Sequence, residues 1–170
     1  PKFVGGLSFS GDWKGIDLSF LFQAGLGRDV ALTGVYSGGI MDNTQMTKPF
    51  YHGGNSPKYL VENSWREDNT NAEFPRLSIV QASSNNAYSS TFWYRSGDYL
   101  RLKNLQIGYT FPQKWMSRIG IDRLRIYFEG QNLWTVSELT KFNIDPEQPG
   151  VSNGYYPQQR IFSFGVNLAF

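Results

Sequence analysis

The closing stretch Arg160–Phe170, RIFSFGVNLAF, decides the fold. From Phe162 onward every second residue is large and apolar: Phe162, Phe164, Val166, Leu168 and Phe170. Ser163, Gly165, Asn167 and Ala169 fill the places between them. Side chains alternate across a β-strand, so this row offers one face to an apolar medium and the other to small or polar groups. That medium is either another layer of protein or lipid, and the rest of the chain argues for lipid.

Four further strands are predicted upstream: Lys2–Ser10, Gly15–Gly27, Asp98–Phe111 and Arg123–Val136. Gly5-Gly6 weakens or bulges the first, and Gly11-Asp12 ends it. In the second, Ile16, Leu18, Phe20, Phe22, Ala24 and Leu26 share a face. Leu21 interrupts an opposite face of Asp17, Ser19, Gln23 and Gly25. In the third, Leu105, Ile107, Tyr109 and Phe111 alternate with Asn104, Gln106, Gly108 and Thr110. In the fourth, Leu124, Ile126 and Phe128 oppose Arg125, Tyr127, Glu129 and Gln131. A cation on a lipid face at mid-membrane costs roughly 2–4 kcal/mol, so Arg125 is expected to face a lumen with Glu129. Strict alternation places Arg101 and Lys103 with Leu105. They are therefore expected near the outer interface, where the penalty falls to about 0–1 kcal/mol.

The connections carry as much information as the strands. Short links at Gly11–Lys14 and Pro112–Asp122 alternate with long ones at 28–97 and Ser137–Gln159. A connection of about seventy residues is improbable in a compact soluble domain unless it has structure or function of its own. Membrane barrels show this asymmetry, with short periplasmic turns and long extracellular loops. With the C-terminus on the periplasmic side, both short links fall there and both long ones outside. Within 28–97, Ser56-Pro57 predicts the start of a short helix reaching about Arg66, and Asp68–Asn71 break it. Gly38-Gly39 and Gly53-Gly54 mark turns, and a brief strand is expected at Leu77–Ala82.

Composition agrees with strands rather than helices in a membrane. The 170 residues include 13 Phe, 10 Tyr, 5 Trp and 18 Gly, yet the mean hydropathy is −0.41. No apolar run approaches the ~20 residues of a membrane helix, whereas the uncharged Leu18–Gly27 suits a tilted strand of roughly 9–11 residues. Scattered basic residues, a net charge of +2 and a pI near 8.9 give no footprint for nucleic acid. The absence of cysteine excludes disulfides, a thiol nucleophile and a Cys-ligated metal.

An ordered series of segments resembles the C-terminal region of SusC/RagA-type TonB-dependent outer-membrane transporters. It comprises the Gly5-Gly6 strand with Trp13-Lys14-Gly15, Trp65 with Asp68-Asn69, and Phe74-Pro75-Arg76. It continues through Ser96–Pro112, Leu124–Trp134, Asp145-Pro146-Glu147, and Tyr156-Pro157 with Arg160–Phe170. The resemblance implies an all-β fold, the C-terminal five antiparallel strands of a 22-stranded transmembrane barrel with long extracellular loops and a short loop helix. It implies that plug and TonB box lie outside residues 1–170. It also implies import of glycan or peptide oligomers across a Gram-negative outer membrane, with the C-terminus periplasmic and no enzymatic activity. The implied partners are a SusD-like lipoprotein, the TonB complex, outer-membrane lipid and a second transporter–lid pair. Phe162, Phe164, Val166, Leu168 and Phe170 resemble the signal read by barrel-assembly machinery. The alternative is a soluble β-sandwich adhesin or carbohydrate-binding module with aromatic loops.

Site candidates are few. Tyr51, Trp93, Tyr155 and Tyr156 are loop aromatics of the kind that stack on sugars or peptide side chains, or that pack the loops against each other or against a lid protein. His52 has no second histidine to support a metal or base. Asp145 and Glu147, two apart in a proline-flanked loop, read as structural rather than as an acid pair. Glu67–Glu73 offers oxygens to a Ca²⁺ ion but lacks EF-hand spacing, so no cofactor is expected.

Overall fold

The computed structural model describes residues 1–32, 58–77, 90–149 and 158–170. They fall into two compact units, which interleave along the chain. The first, Pro1–Gly27 with Asp98–Ser137 and Pro157–Phe170, is an antiparallel sheet. Its strands are β1 (Phe3–Trp13), β2 (Ile16–Leu26), β5 (Tyr99–Thr110), β6 (Arg123–Ser137) and β7 (Ile161–Ala169), paired in that order. Every neighbour in the sheet is the next sheet strand along the chain, so this is an up-and-down meander.

The five expected strands are present with ends moved by no more than three residues. The largest shift is at β1, which continues through Gly11 and Asp12 to Trp13. The hairpin is then the two-residue turn Lys14-Gly15, with φ of 48° and 88°. Positive φ at both central positions is the hairpin geometry that matches strand twist. Gly5 and Gly6 produce no bulge, because they stay in register with Ala24 and Gln23.

A bulge does occur in β5, and it corrects the expected position of Arg101. Leu21 pairs with Asn104 but Phe22 pairs with Leu102, leaving Lys103 out of register. On the other side Asn104 pairs with Gln131 and Leu102 with Trp134, and Asn132 absorbs the slip at φ 52°. One extra residue reverses the parity of everything before it. Leu100 and Leu102 therefore align with Ala24 and Phe22, and Arg101 aligns with Gln23 and Thr135 on the polar face.

The apolar face is continuous across the sheet. Phe9 stacks on Phe20 at 5.3 Å, Phe20 meets Phe22 at 5.5 Å, and Phe128 meets Phe164 at 5.2 Å. Among the described residues nothing seals this face. Phe164 is 82 % exposed, and Phe3, Leu7, Phe162, Val166 and Phe170 are also exposed.

The second unit, Arg28–Gly97 with Glu138–Tyr156, is built differently. It holds β3 (Asp29–Ala31) paired with β4 (Tyr94–Ser96), helix α1 (Lys58–Glu62), and 3-10 turns at Thr91–Trp93 and Glu138–Phe142. Helix α1 is shorter than the expected Ser56–Arg66, and Ser56-Pro57 lies outside the described residues. Leu77 is not in a strand, and the remainder of the expected Leu77–Ala82 strand lies outside them too. Val30, Leu32, Leu60, Phe74, Trp93, Leu139, Phe142 and Ile144 form a closed core. Phe74 is held by backbone bonds to Asn63 and Trp65, and the Ser64 hydroxyl donates to the Leu60 carbonyl. No described helix is long and apolar enough to cross a membrane, which says nothing of crossing by strands.

Candidate functional site

The polar face of the sheet is a wall of paired groups. Asp17 on β2 and Arg125 on β6 are two strands apart, yet the guanidinium donates to both carboxylate oxygens, Nε at 2.9 Å and Nη2 at 2.5 Å. The fork geometry suits a planar carboxylate. It passes directly over Gly108 of β5, and a Cβ there would collide with both Asp17 oxygens and Arg125 Nη2. Glycine at 108 is therefore required by close approach, not by backbone angle. The same device recurs beside it. Arg125 lies 4.8 Å from the Tyr127 ring, and that ring covers Gly165, its direct partner on β7.

Arg101 is 3 % exposed and donates to Thr135 Oγ1 at 2.9 Å. A guanidinium in hydrocarbon would be costly, so its presence on this face rather than the opposite one is a physical correction of strict alternation. Ser10, Ser19, Gln106, Glu129 and Ser163 form a further row across the five strands. The Asp17–Arg125 pair and this row are what a wetted lumen wall needs: charges that are matched, and hydrogen-bonding groups without large apolar bulk.

In the second unit the charges gather on Glu73. Its carboxylate accepts from the Tyr59 hydroxyl at 2.7 Å, from Arg95 Nη2 at 3.2 Å and from Lys141 Nζ at 3.1 Å. Glu138 joins the hub through Arg95 at 3.7 Å and Lys141 at 3.8 Å, and accepts the Ser96 amide at 3.0 Å. Burial works against the ionised form of Glu73, but the hydroxyl and the two cations outweigh it and hold its carboxyl below the usual range. Burial, together with the Glu73 charge, pushes the Tyr59 phenol up to about 12. Lys141 lies 4.8 Å from the Phe142 ring, so the hub rests on the aromatic core beneath it.

The structure redistributes the aromatic candidates. Trp93 is 4 % exposed and stacks on Phe74 at 6.1 Å, so it is a core residue and no surface platform. Tyr51, Tyr155, Tyr156 and His52 lie outside the described residues. Asp145 Oδ1 accepts the Glu147 amide at 2.8 Å, a local turn bond that uses the first carboxylate structurally. In the Glu67–Glu73 run, Asp68 pairs with Arg66 at 3.2 Å, and Glu73 is engaged as above. Phe162, Phe164, Val166 and Leu168 align along the apolar face with Gly130, Phe128, Ile126 and Leu124, and Phe170 follows at the exposed chain end. The Glu73 hub is not legible in the sequence because its members are up to 82 positions apart, from Tyr59 to Lys141, with β5 and β6 in between.

Similarity to known proteins extends over the residues of both units. Across its whole length the chain is 28 % identical to TonB-dependent receptor P3 of Formosa agariphila, spanning 16 % of that protein. It is 30 % identical over 105 residues, 60 % of the chain, to TonB-dependent receptor SusC of Bacteroides thetaiotaomicron, spanning 10 % of it. Its homologues are TonB-dependent receptors. Among solved structures, the RagAB peptide transporter matches with a TM-score of 0.60 and 26 % identity, covering 98 % of this chain and 17 % of that one. The RagAB peptide importer in its open-open state matches with a TM-score of 0.57. No family model matches the chain. The resemblance to SusC/RagA-type receptors thus extends over the whole chain, while the chain spans about a sixth of the proteins it resembles.

Proposed function

We propose that this chain is the C-terminal wall of a 22-stranded SusC-like barrel that imports peptide or glycan oligomers across a Gram-negative outer membrane. The observation that carries this reading is the inversion of the sheet, with phenylalanines outward and the Asp17–Arg125 pair on the opposite face. Lipid is the medium that rewards such an exterior. Both long connections leave from one end of the sheet, after Leu26 and after Ser137. Both short ones and Phe170 are at the other, which is the periplasmic end in this reading.

Plug and TonB box are contributed by other parts of the protein, and energy arrives from the TonB complex. The two long connections are extracellular loops in this reading, on the side from which a SusD-like lipoprotein caps the barrel, in pairs where the transporter dimerises. The row Phe162, Phe164, Val166, Leu168 and Phe170 is read by the barrel-assembly machinery. The β-sandwich alternative requires a second layer over Phe164 and its neighbours, and none exists among the described residues.

The test is made on the full-length protein. Extraction only by detergent, a heat-dependent shift in gel mobility, and TonB-dependent uptake of labelled oligopeptides or oligosaccharides are expected. Recovery in the water-soluble fraction with retained sugar binding would sink the proposal.

A further inference from the structure

We infer that the link between β5 and β6 is an interfacial foot that binds the phosphate headgroups of the lipid leaflet at the turn end of the sheet. The inference rests on the barrel reading above. In this link helix α2 (Gln113–Met116) runs directly into a 3-10 turn at Ser117–Ile119 and stops at Gly120, φ 74°. It is tied down at both ends: the Phe111 amide donates to the Leu124 carbonyl at 2.9 Å, and the Asp122 amide to the Ala169 carbonyl at 2.9 Å. Met116 is its one buried residue.

What it leaves outside is not what a water-facing turn leaves outside. Trp115 is 57 % exposed and Ile119 65 % exposed, four positions apart. Lys114 and Arg118, also four apart, are exposed beside them. Each exposed apolar residue thus directly follows a cation along the link, Trp115 after Lys114 and Ile119 after Arg118. Asp122, at the far end, is the link's single acid.

The adjacent turn repeats the pairing of indole and cation. Trp13 is 67 % exposed with Lys14 Nζ 4.6 Å from its ring centre. The Gly15 carbonyl accepts from Thr110, the last residue of β5 before the link, at 2.7 Å. Trp13 is also in register with Ile16, and Ile16 with Tyr109, so it closes the apolar face at this end. This end of the sheet thus carries exposed tryptophans beside cations: Trp13 with Lys14 where the apolar face closes, and Trp115 with Lys114 and Arg118 on the link. Indole rings sit at headgroup depth, and Lys and Arg lay their stems on apolar surface while their heads reach phosphate.

The experiment places the full-length protein in nanodiscs of phosphatidylcholine and phosphatidylglycerol with brominated acyl chains. The emission lost to bromine is compared for wild type, Trp115→Phe and Trp134→Phe; Trp134 lies on the apolar face, aligned with Leu102. Quenching of the Trp115 contribution is expected. Lys114→Gln with Arg118→Gln should lower the enrichment of phosphatidylglycerol around the protein by up to about 5-fold per charge, from ~1 kcal/mol each. Lys114→Arg with Arg118→Lys should retain it. If Trp134 is quenched and Trp115 is not, or if a photocrosslinker at 115 captures protein instead of lipid, the foot is refuted and the barrel stands. If neither is quenched, the barrel reading fails with it.

Discussion

The two units of this chain solve opposite solvent problems with the same residue types. In the second unit Phe74, Trp93 and Phe142 are inside, and the ionised hub of Glu73, Arg95 and Lys141 is half-buried over them. In the sheet Phe162 and Phe164 are outside, and the ionised pair Asp17–Arg125 lies on the reverse face. Phenylalanine is the core in one and the exterior in the other. The difference teaches that burial is set by what surrounds a unit, not by the residue. A hydrophobicity scale applied without knowing the medium would misread one of the two.

The comparison is broken most sharply by truncating one aromatic in each unit. Phe74→Ala should destabilise the second unit by about 3–5 kcal/mol, as for a large core residue. Hydrogen exchange at the Trp65 and Phe74 amides, both backbone-bonded, would accelerate a hundredfold or more. Next in size is a charge placed on each face of β7. Phe164→Arg should cost roughly 2–4 kcal/mol in unfolding from bilayers, whereas Ser163→Arg, beside Glu129, should cost less than about 1 kcal/mol. Equal costs would show that both faces meet the same medium. Gly108→Ala forces the Asp17–Arg125 fork apart and should cost about 1–3 kcal/mol in the same measurement. Gly5→Ala, with open space at its Cβ, serves as the neutral control.

The smallest effect is titration of the hub. Glu73 ionises more readily folded than unfolded, so its contribution is fully present above the unfolded glutamate range. It is lost as pH falls through the depressed folded value. Exchange protection of the second unit should fall with acid in the wild type. In Glu73→Gln it should be flatter and lower at neutral pH by about 1–2 kcal/mol. An unchanged acid response in the variant would assign the sensitivity to another group.

How much was legible follows from how each region encodes itself. A half-wetted strand writes its faces at period two, so the rows Ile16–Leu26, Leu105–Tyr109 and Phe162–Leu168 could be read directly. The Lys103 bulge could not, since it depends on the partners of β5 and on Asn132 adopting positive φ. Arg101 was misplaced for that reason alone. The second unit has no period to read: Leu60, Phe74, Trp93 and Phe142 meet only through long-range contacts of irregular chain. Trp93, whose loop position in the sequence leaves packing and binding both open, is a core residue for the same reason.

Gly108 also sets a rule for how this sheet can drift. Any side chain at 108 displaces the fork above it, so bulk there becomes tolerable only once 17 or 125 has changed. Among descendants of a common ancestor the three positions should then switch together, alanine or larger at 108 accompanying loss of the carboxylate or the guanidinium. The strand between two partners records, in a missing methyl, a bond to which it contributes no atom.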